Sequence, residues 1–193
     1  GIVVAADIAV YAKGAARPTG GAGAVALLIG PEAPIVIDNV RSTYMTNAYD
    51  FYKPDAMSEY PTVDGQLSVK CYHEAIRSCY NQLKQKYELT NRGDLNLDTV
   101  DYCCFHSPFC KMVYRSFITL LNTDLKEGKL TGDSFDEKIQ KKLQELAKTD
   151  ANADSKENAD VLKAYWGKKG VLGTYLSSQL GNIYAGSLYC GLI

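Results

Sequence analysis

The 193 residues are 46% hydrophobic and 22% charged, the composition of a globular domain with a proper core, which excludes a disordered or membrane-embedded class. A formal net charge of -1 offers no broad attraction for nucleic acid or anionic lipid, so neither is expected as a partner; only a local basic pocket for a phosphorylated ligand remains open. The six cysteines contain no Cys-x-x-Cys pair, so no metal site is expected and they read as reduced thiols in apolar surroundings.

In chain order, Ile2 to Ala12 reads as a buried strand interrupted by Asp7, and Gly23 to Ile29 as a second strand. The turn-rich link between them holds Gly20, Gly21 and Gly23. With no lysine or helix start behind them these do not form a phosphate loop, and close backbone packing explains them better. Gly30, Pro31 and Pro34 end the second strand, and Ile35 to Ile37 reads as a short third one. Residues 41–64 are crowded with aromatics and prolines, predicting an ordered loop packed by its rings and placed as a wall of a binding site.

Val69, Tyr72, Ala75, Ile76, Tyr80 and Leu83 predict an amphipathic helix over 68–87, ended by Gly93 and Asp94. Leu97 to Phe105 then suits a strand. It runs through His106, Ser107 and Pro108 into a helix over 110–121, and Gly173 to Ser177 followed by Gly181 and Asn182 repeats the strand, turn and helix order. The pair of units predicts an α/β layered core with mixed sheets and a site at the strand ends. Between the units, 124–169 is rich in Lys, Glu, Asp and Gln and reads as a disordered or variable surface insertion. It carries one solvated helix through Phe135, Ile139, Leu143 and Leu146, then a polar loop over 150–158.

Few residues suggest chemistry. His73 falls on the amphipathic helix, where a solvent-facing imidazole is expected. His106 sits at a strand-end turn, where it is either a catalytic proton donor to a carbonyl oxygen or a buried hydrogen-bonded histidine. Asp7 inside an apolar strand needs a partner, Lys13 or Arg17, or has a catalytic role; Asp50, Lys53 and Asp55 are equally ambiguous.

Several contiguous strings carry a resemblance. Asp7 to Tyr11, Ala16 to Ala26, Tyr49 to Asp55, Ser58 to Pro61, Val63 to Gly65, Phe105 to Lys111 and Gly181 to Tyr184 resemble, in order and approximate spacing, the eukaryotic hydroxymethylglutaryl-CoA synthases. The resemblance covers nearly the whole chain outside the charged segment.

It implies a thiolase-like layered fold and condensation of acetyl-CoA with acetoacetyl-CoA, without a permanently bound cofactor. In that family a cysteine is acetylated, a glutamate removes a methyl proton, the carbanion attacks acetoacetyl-CoA, and hydrolysis releases the product. By similarity His106 is the proton donor, Asp7 and Asp50 are acidic residues of acyl transfer, and Thr19, Ser68 and Asn182 contact the acyl group. Lys111 and Arg115 form a basic helix edge near the CoA. Ala15 stands where many animal members carry asparagine, and Arg115 where they carry lysine.

Residues 1–66 then correspond to the end of an N-terminal half and 67–193 to the start of a C-terminal half. The nucleophilic cysteine and the base are expected before residue 1, so the chain alone is expected to be inactive. A homodimer is implied, acting in the cytoplasm in isoprenoid and sterol precursor synthesis, or in mitochondria. Two other readings fit the same strings: a β-branching synthase acting on carrier-protein substrates, and a non-catalytic acyl-CoA-binding partner.

Overall fold

The computed structural model describes residues 1–148 and 153–193. Strand β1 (Ile2–Ile8) pairs antiparallel with β2 (Ala22–Leu28), with Ile2 opposite Leu28 and Ile8 opposite Ala22. The sequence predicts a buried strand reaching Ala12. Instead β1 stops at Ile8, and a two-stranded hairpin shields little of it: Ile2, Val4 and Ile8 are 70%, 61% and 67% exposed. Asp7 is exposed too, its carboxylate accepting from the Ile8 amide at 2.8 Å, so it carries no burial penalty and needs neither Lys13 nor Arg17. Ile35 to Ile37 is exposed and forms no strand, because no described segment lies beside it to complete a ladder.

The aromatic loop is ordered, as its composition predicts. It closes on itself through β3 (Phe51–Tyr52) and β4 (Thr62–Val63) and leads into α1 (Gly65–Glu88). Asp64 caps that helix, its carboxylate accepting from the Leu67 amide at 3.0 Å. The helix α2 (Cys110–Glu127) packs on α1 and ends at Gly128 in the left-handed conformation, φ 65°, the usual helix stop.

The run from Leu97 to Phe105 is not a strand. The Asn96 side chain accepts from the amides of Asp98 and Thr99 at 2.8 and 3.2 Å, which bends the chain into a turn. Asp98 accepts from the Thr131 and Gly132 amides and the Tyr165 hydroxyl at 2.7, 2.9 and 2.7 Å. Beyond the turn the chain has no regular structure and is tied to its surroundings by the Cys103 amide donating to the Lys169 carbonyl at 2.7 Å, the Lys169 ammonium donating to the Val100 carbonyl and the Cys104 thiol donating to the Gly191 carbonyl at 3.1 Å.

The charged segment differs most from expectation. Helices α3 (Glu137–Leu146) and α4 (Ala159–Lys169) show a charged outer face, and their apolar positions complete the main core. Ile139, Leu143, Val161 and Tyr165 meet Val113, Phe117 and Leu121 of α2 there. The segment is built into the fold because three turns of amphipathic helix give it enough apolar surface to bury. Residues 149–152 of the expected polar loop lie outside the described residues; within the rest of it, Ala153 is fully buried and Asn158 nearly so.

Beneath α1 and α2 lies a buried polar network. Asp124, 0% exposed, ion-pairs with Lys84 and accepts from the Tyr80 hydroxyl at 2.7 Å and the Leu97 amide at 2.8 Å; Lys84 also reaches Glu127 at 2.6 Å. Burial pushes the Asp124 carboxyl upward even though all three partners favour its charged form, and burial likewise raises Tyr80.

Gly173 to Ser177, read as a strand, is helical: a 3-10 turn at Leu172–Thr174 enters α5 (Tyr175–Leu180), and α6 (Gly186–Tyr189) follows. Gly173 lies against the Cys103 carbonyl, 3.0 Å from where its Cβ would be, so tight packing rather than a ladder explains that glycine. A smaller core of Val25, Ile183 and Cys190 fastens this end of the chain to β2.

Candidate active site

The glycines of the first turn decide where the site forms. The backbone at Gly20 and Gly21 runs against Gly181 and Asn182 in an isolated parallel bridge, and the Asn182 amide donates to the Thr19 carbonyl at 2.9 Å. A Cβ at Gly21 would lie 2.0 Å from the Leu180 carbonyl oxygen, and Gly181 has φ 78°, so the approach requires glycine on both sides. The close backbone packing read from the sequence is what the structure shows.

This crossing seats Asn182 at the floor of a cleft of about 1170 Å³. Its walls are Tyr11, Thr19, Asp50, Phe51, Ser68, Cys71, Tyr72, His106, Met112 and Tyr184, among others. Five sequence-predicted residues, His106, Asp50, Thr19, Ser68 and Asn182, come together here from separate elements. Thr19 ends a 3-10 turn with its hydroxyl donating to the Ala16 carbonyl at 2.6 Å. Asp50 precedes β3 and its carbonyl accepts from the Asp64 amide at 2.8 Å, which holds the aromatic loop to the start of α1. Ser68 lies on the first turn of α1.

His106 stands half-buried at the turn into α2, and its carbonyl accepts from the Tyr72 hydroxyl at 2.5 Å. Burial pushes the imidazole below the ordinary histidine value, while a hydrogen bond to the Tyr184 backbone acts the other way. An imidazole beside a largely apolar wall can give a proton, from its charged form, to an oxygen where charge develops. His73 is only partly exposed, with Nδ1 3.4 Å from the Ser116 hydroxyl; burial, and then the Arg115 charge, lower it as well.

Three predicted residues do not line the cleft. Lys111 and Arg115 project one turn apart from the exposed face of α2. Asp7 is exposed on β1, near enough to Tyr184 that its charge adds to the burial and the Tyr11 hydrogen bond that push the Tyr184 hydroxyl upward.

The aromatic loop was expected to wall a site and Phe51 does so, but its partners Tyr11 and Tyr184 were not singled out from the sequence. Tyr11, Phe51 and Tyr184 pack edge to face, with ring centroids 6.1 and 5.9 Å apart. Tyr11 had a signal: Ala9 and Tyr11, two apart, are the buried positions just past β1. Tyr184 had none, since its placement depends on φ 50° at a non-glycine residue, held by its amide donating to the Asn182 side-chain oxygen at 2.9 Å.

Among the described residues no group of three His, Cys, Asp or Glu is placed to hold a metal ion, and no helix is long and apolar enough to cross a membrane. The thiols of Cys103, Cys104 and Cys190 are pushed up by burial, Cys103 to about 12, so none of these three is a ready thiolate. A second cleft of about 650 Å³ between α1 and α2 is occupied by charges that satisfy one another, such as Lys129 with Asp94 at 3.2 Å.

Residues 1–34 match the family model described as hydroxymethylglutaryl-coenzyme A synthase N terminal, and residues 35–193 the one described as its C terminal. Hydroxymethylglutaryl-CoA synthase A of Dictyostelium discoideum is 43% identical over 208 residues, covering 100% of this chain and 40% of that protein. The mitochondrial synthase of Sus scrofa is 43% identical, covering 97% and 39%. The solved structure of MvaS in complex with 3-hydroxy-3-methylglutaryl coenzyme A superposes with a TM-score of 0.75 at 27% identity, covering 100% of this chain and 43% of that one. The curacin pathway HMG synthase, at 22% identity and a TM-score of 0.69, shares the fold. The chain thus spans about two fifths of the length of these relatives. The fold is thiolase-like α/β, and the chain belongs to the hydroxymethylglutaryl-CoA synthase family.

Proposed function

We propose that this chain forms the acid side and acyl-binding wall of a synthase that condenses acetyl-CoA with acetoacetyl-CoA to give hydroxymethylglutaryl-CoA. The observation that carries the reading is the convergence of His106, Asn182, Thr19, Ser68 and Asp50 on one aromatic-walled cleft, in a chain of this family. The acetyl group is carried on a cysteine elsewhere in the full-length protein. Loss of a methyl proton makes its carbon nucleophilic, and that carbon bonds to the ketone carbon of acetoacetyl-CoA. The carbonyl π pair moves onto the ketone oxygen, which takes a proton from the imidazolium form of His106; the neutral imidazole left behind regains its proton from solvent. Burial disfavours the imidazolium form. The Tyr184 backbone contact and the negative charge developing on the ketone oxygen favour that charged form, and the proton passes to the oxygen as its charge builds.

Asn182 supplies a hydrogen-bond donor to the acyl oxygen, and Thr19 and Ser68 contact the rest of the acyl group. Asp50 sits within reach of the same space, while Asp7 acts from a distance through the Tyr184 region. Lys111 and Arg115, outside the cleft, offer cations to the phosphates of CoA. No permanently bound cofactor enters this chemistry. A homodimer in the cytoplasm or in mitochondria is part of the same reading, supported by the apolar side chains that β1 leaves uncovered.

The test is to supply the full-length protein with both thioesters and follow hydroxymethylglutaryl-CoA formation in the wild type and in His106→Ala. Loss of condensation in the variant, with acetylation of the protein by acetyl-CoA retained, supports the assignment. An unchanged rate removes His106 from the mechanism, and absence of product from the wild type removes the reaction.

A further inference from the structure

The Asn182 amide is held on three sides, and the atoms holding it fix what it can offer a ligand. The Tyr184 amide N–H can only donate, so the Asn182 atom 2.9 Å from it is the side-chain oxygen. The Ser187 hydroxyl accepts from the Ile183 amide at 2.9 Å and donates its own proton to that same oxygen at 3.2 Å. Both acceptor positions of the oxygen are thereby taken. The amide nitrogen faces the Tyr11 hydroxyl at 2.9 Å, which uses one of its two hydrogens. One N–H is left, on a side chain that is 5% exposed and lines the cleft.

We propose that Tyr11 is a positioning residue for condensation: its hydroxyl anchors the nitrogen end of the Asn182 amide, whose oxygen the Tyr184 amide and the Ser187 hydroxyl hold, so that the remaining N–H is presented to the acyl oxygen. The inference rests on the acyl-condensing reading above. Tyr11 suits the task because it is itself immobile. It is buried, its ring meets Phe51 edge to face, and it follows Ala9, whose amide is bonded to the Gly21 carbonyl at 2.8 Å. That last bond belongs to the glycine crossing that seats Asn182, so both ends of the Tyr11 to Asn182 contact are anchored to one rigid junction although 171 residues separate them. Removing the hydroxyl leaves a buried N–H without its acceptor and loosens the nitrogen end of the amide, which only the bonds to its oxygen then hold.

The test uses the full-length protein with Tyr11→Phe, Asn182→Ala and the double variant. Tyr11→Phe should lower kcat for condensation about tenfold, the scale of one lost hydrogen bond, with KM for acetoacetyl-CoA within about twofold. Acetylation by acetyl-CoA should proceed as in the wild type. In the Asn182→Ala background the same change should alter kcat less than about twofold, because a residue acting through Asn182 has nothing left to position. An unchanged kcat in Tyr11→Phe, an equal loss in both backgrounds, or a parallel loss of acetylation overturns the proposal. NMR of protein labelled with ¹⁵N at asparagine separates this claim from the parent reaction. If the Asn182 side-chain amide protons exchange with solvent no faster in Tyr11→Phe than in the wild type, Tyr11 does not hold the amide, whatever the protein catalyses.

Discussion

Replacing Gly21 with alanine probes the junction on which the cleft depends. The new methyl would sit 2.0 Å from the Leu180 carbonyl oxygen, 2.7 Å from the Gly181 carbonyl carbon and 2.9 Å from the Asn182 carbonyl oxygen, all of them backbone atoms. Ordinary carbon contacts begin near about 3.5 Å, so the two segments must part by more than about 1 Å. That separation breaks the Asn182 to Thr19 bond of 2.9 Å and the bridge beside it. Overpacking together with one lost backbone hydrogen bond amounts to about 2–4 kcal/mol, a large share of the roughly 5–15 kcal/mol by which a domain is stable. Urea unfolding at fixed pH measures the loss directly. Gly167→Ala is the control: it lies within α4 with nothing within 4 Å of its added methyl, and should stabilise by about 0.5–1 kcal/mol. In the full-length protein Gly21→Ala should also lower condensation by about two orders of magnitude, since a 1 Å displacement of a positioning group has that effect. A Gly21→Ala protein within about 0.5 kcal/mol of the wild type would refute the tight crossing and the seating of Asn182 derived from it.

Three further outcomes test other parts of the fold. Asp124→Asn leaves Lys84 in the interior with only Glu127 and should lower stability by about 3 kcal/mol in urea unfolding; a change under about 1 kcal/mol would mean the network is not coupled to folding. Leu143→Ala, at a position 1% exposed, should lower it by about 2–5 kcal/mol, whereas a solvated surface helix would tolerate the change within about 0.5 kcal/mol. Both histidines titrate below their ordinary value in the folded chain, so the unfolded chain takes up protons first as pH falls. Their contribution to stability is therefore complete above the unfolded histidine value of about 6.5 and declines as pH drops through the folded values; the urea midpoint should fall in that window and flatten in His73→Gln/His106→Gln.

The helices were legible because an amphipathic period and a cap are both local. Val69 to Leu83 repeats at helical spacing, and Asp64 sits one residue before the helix it caps. The start predicted at residue 68 is three residues late because apolar spacing begins later than the cap. The apolar run Leu97 to Phe105 misled because burial between helices and burial in a sheet select the same residues. What decides is the Asn96 side chain bonding its neighbours' amides, which periodicity does not register. Gly173 to Ser177 failed for a related reason: small and β-favouring residues bend into helix where tertiary packing presses them on Cys103 and Cys104. In the charged segment the helical register of Ile139, Leu143 and Leu146 was legible, but the count of charges made the helix read as solvated when that face is core.

The polar residues of the cleft were legible one at a time through the family strings, but their meeting was not, since it depends on contacts between distant loops. Each cleft loop is tied to a rigid neighbour by a backbone group rather than by the side chain that faces the cleft. Thr19 is tied through its carbonyl to the Asn182 amide, His106 through its carbonyl to Tyr72 on α1, and Asp50 through its carbonyl to the cap residue Asp64. That division of labour leaves the imidazole and the Asp50 carboxylate uncommitted to these structural ties. Sequence strings therefore name the polar side chains of the cleft, while the glycines at 20, 21 and 181, which contribute no side chain at all, determine whether Asn182 reaches it.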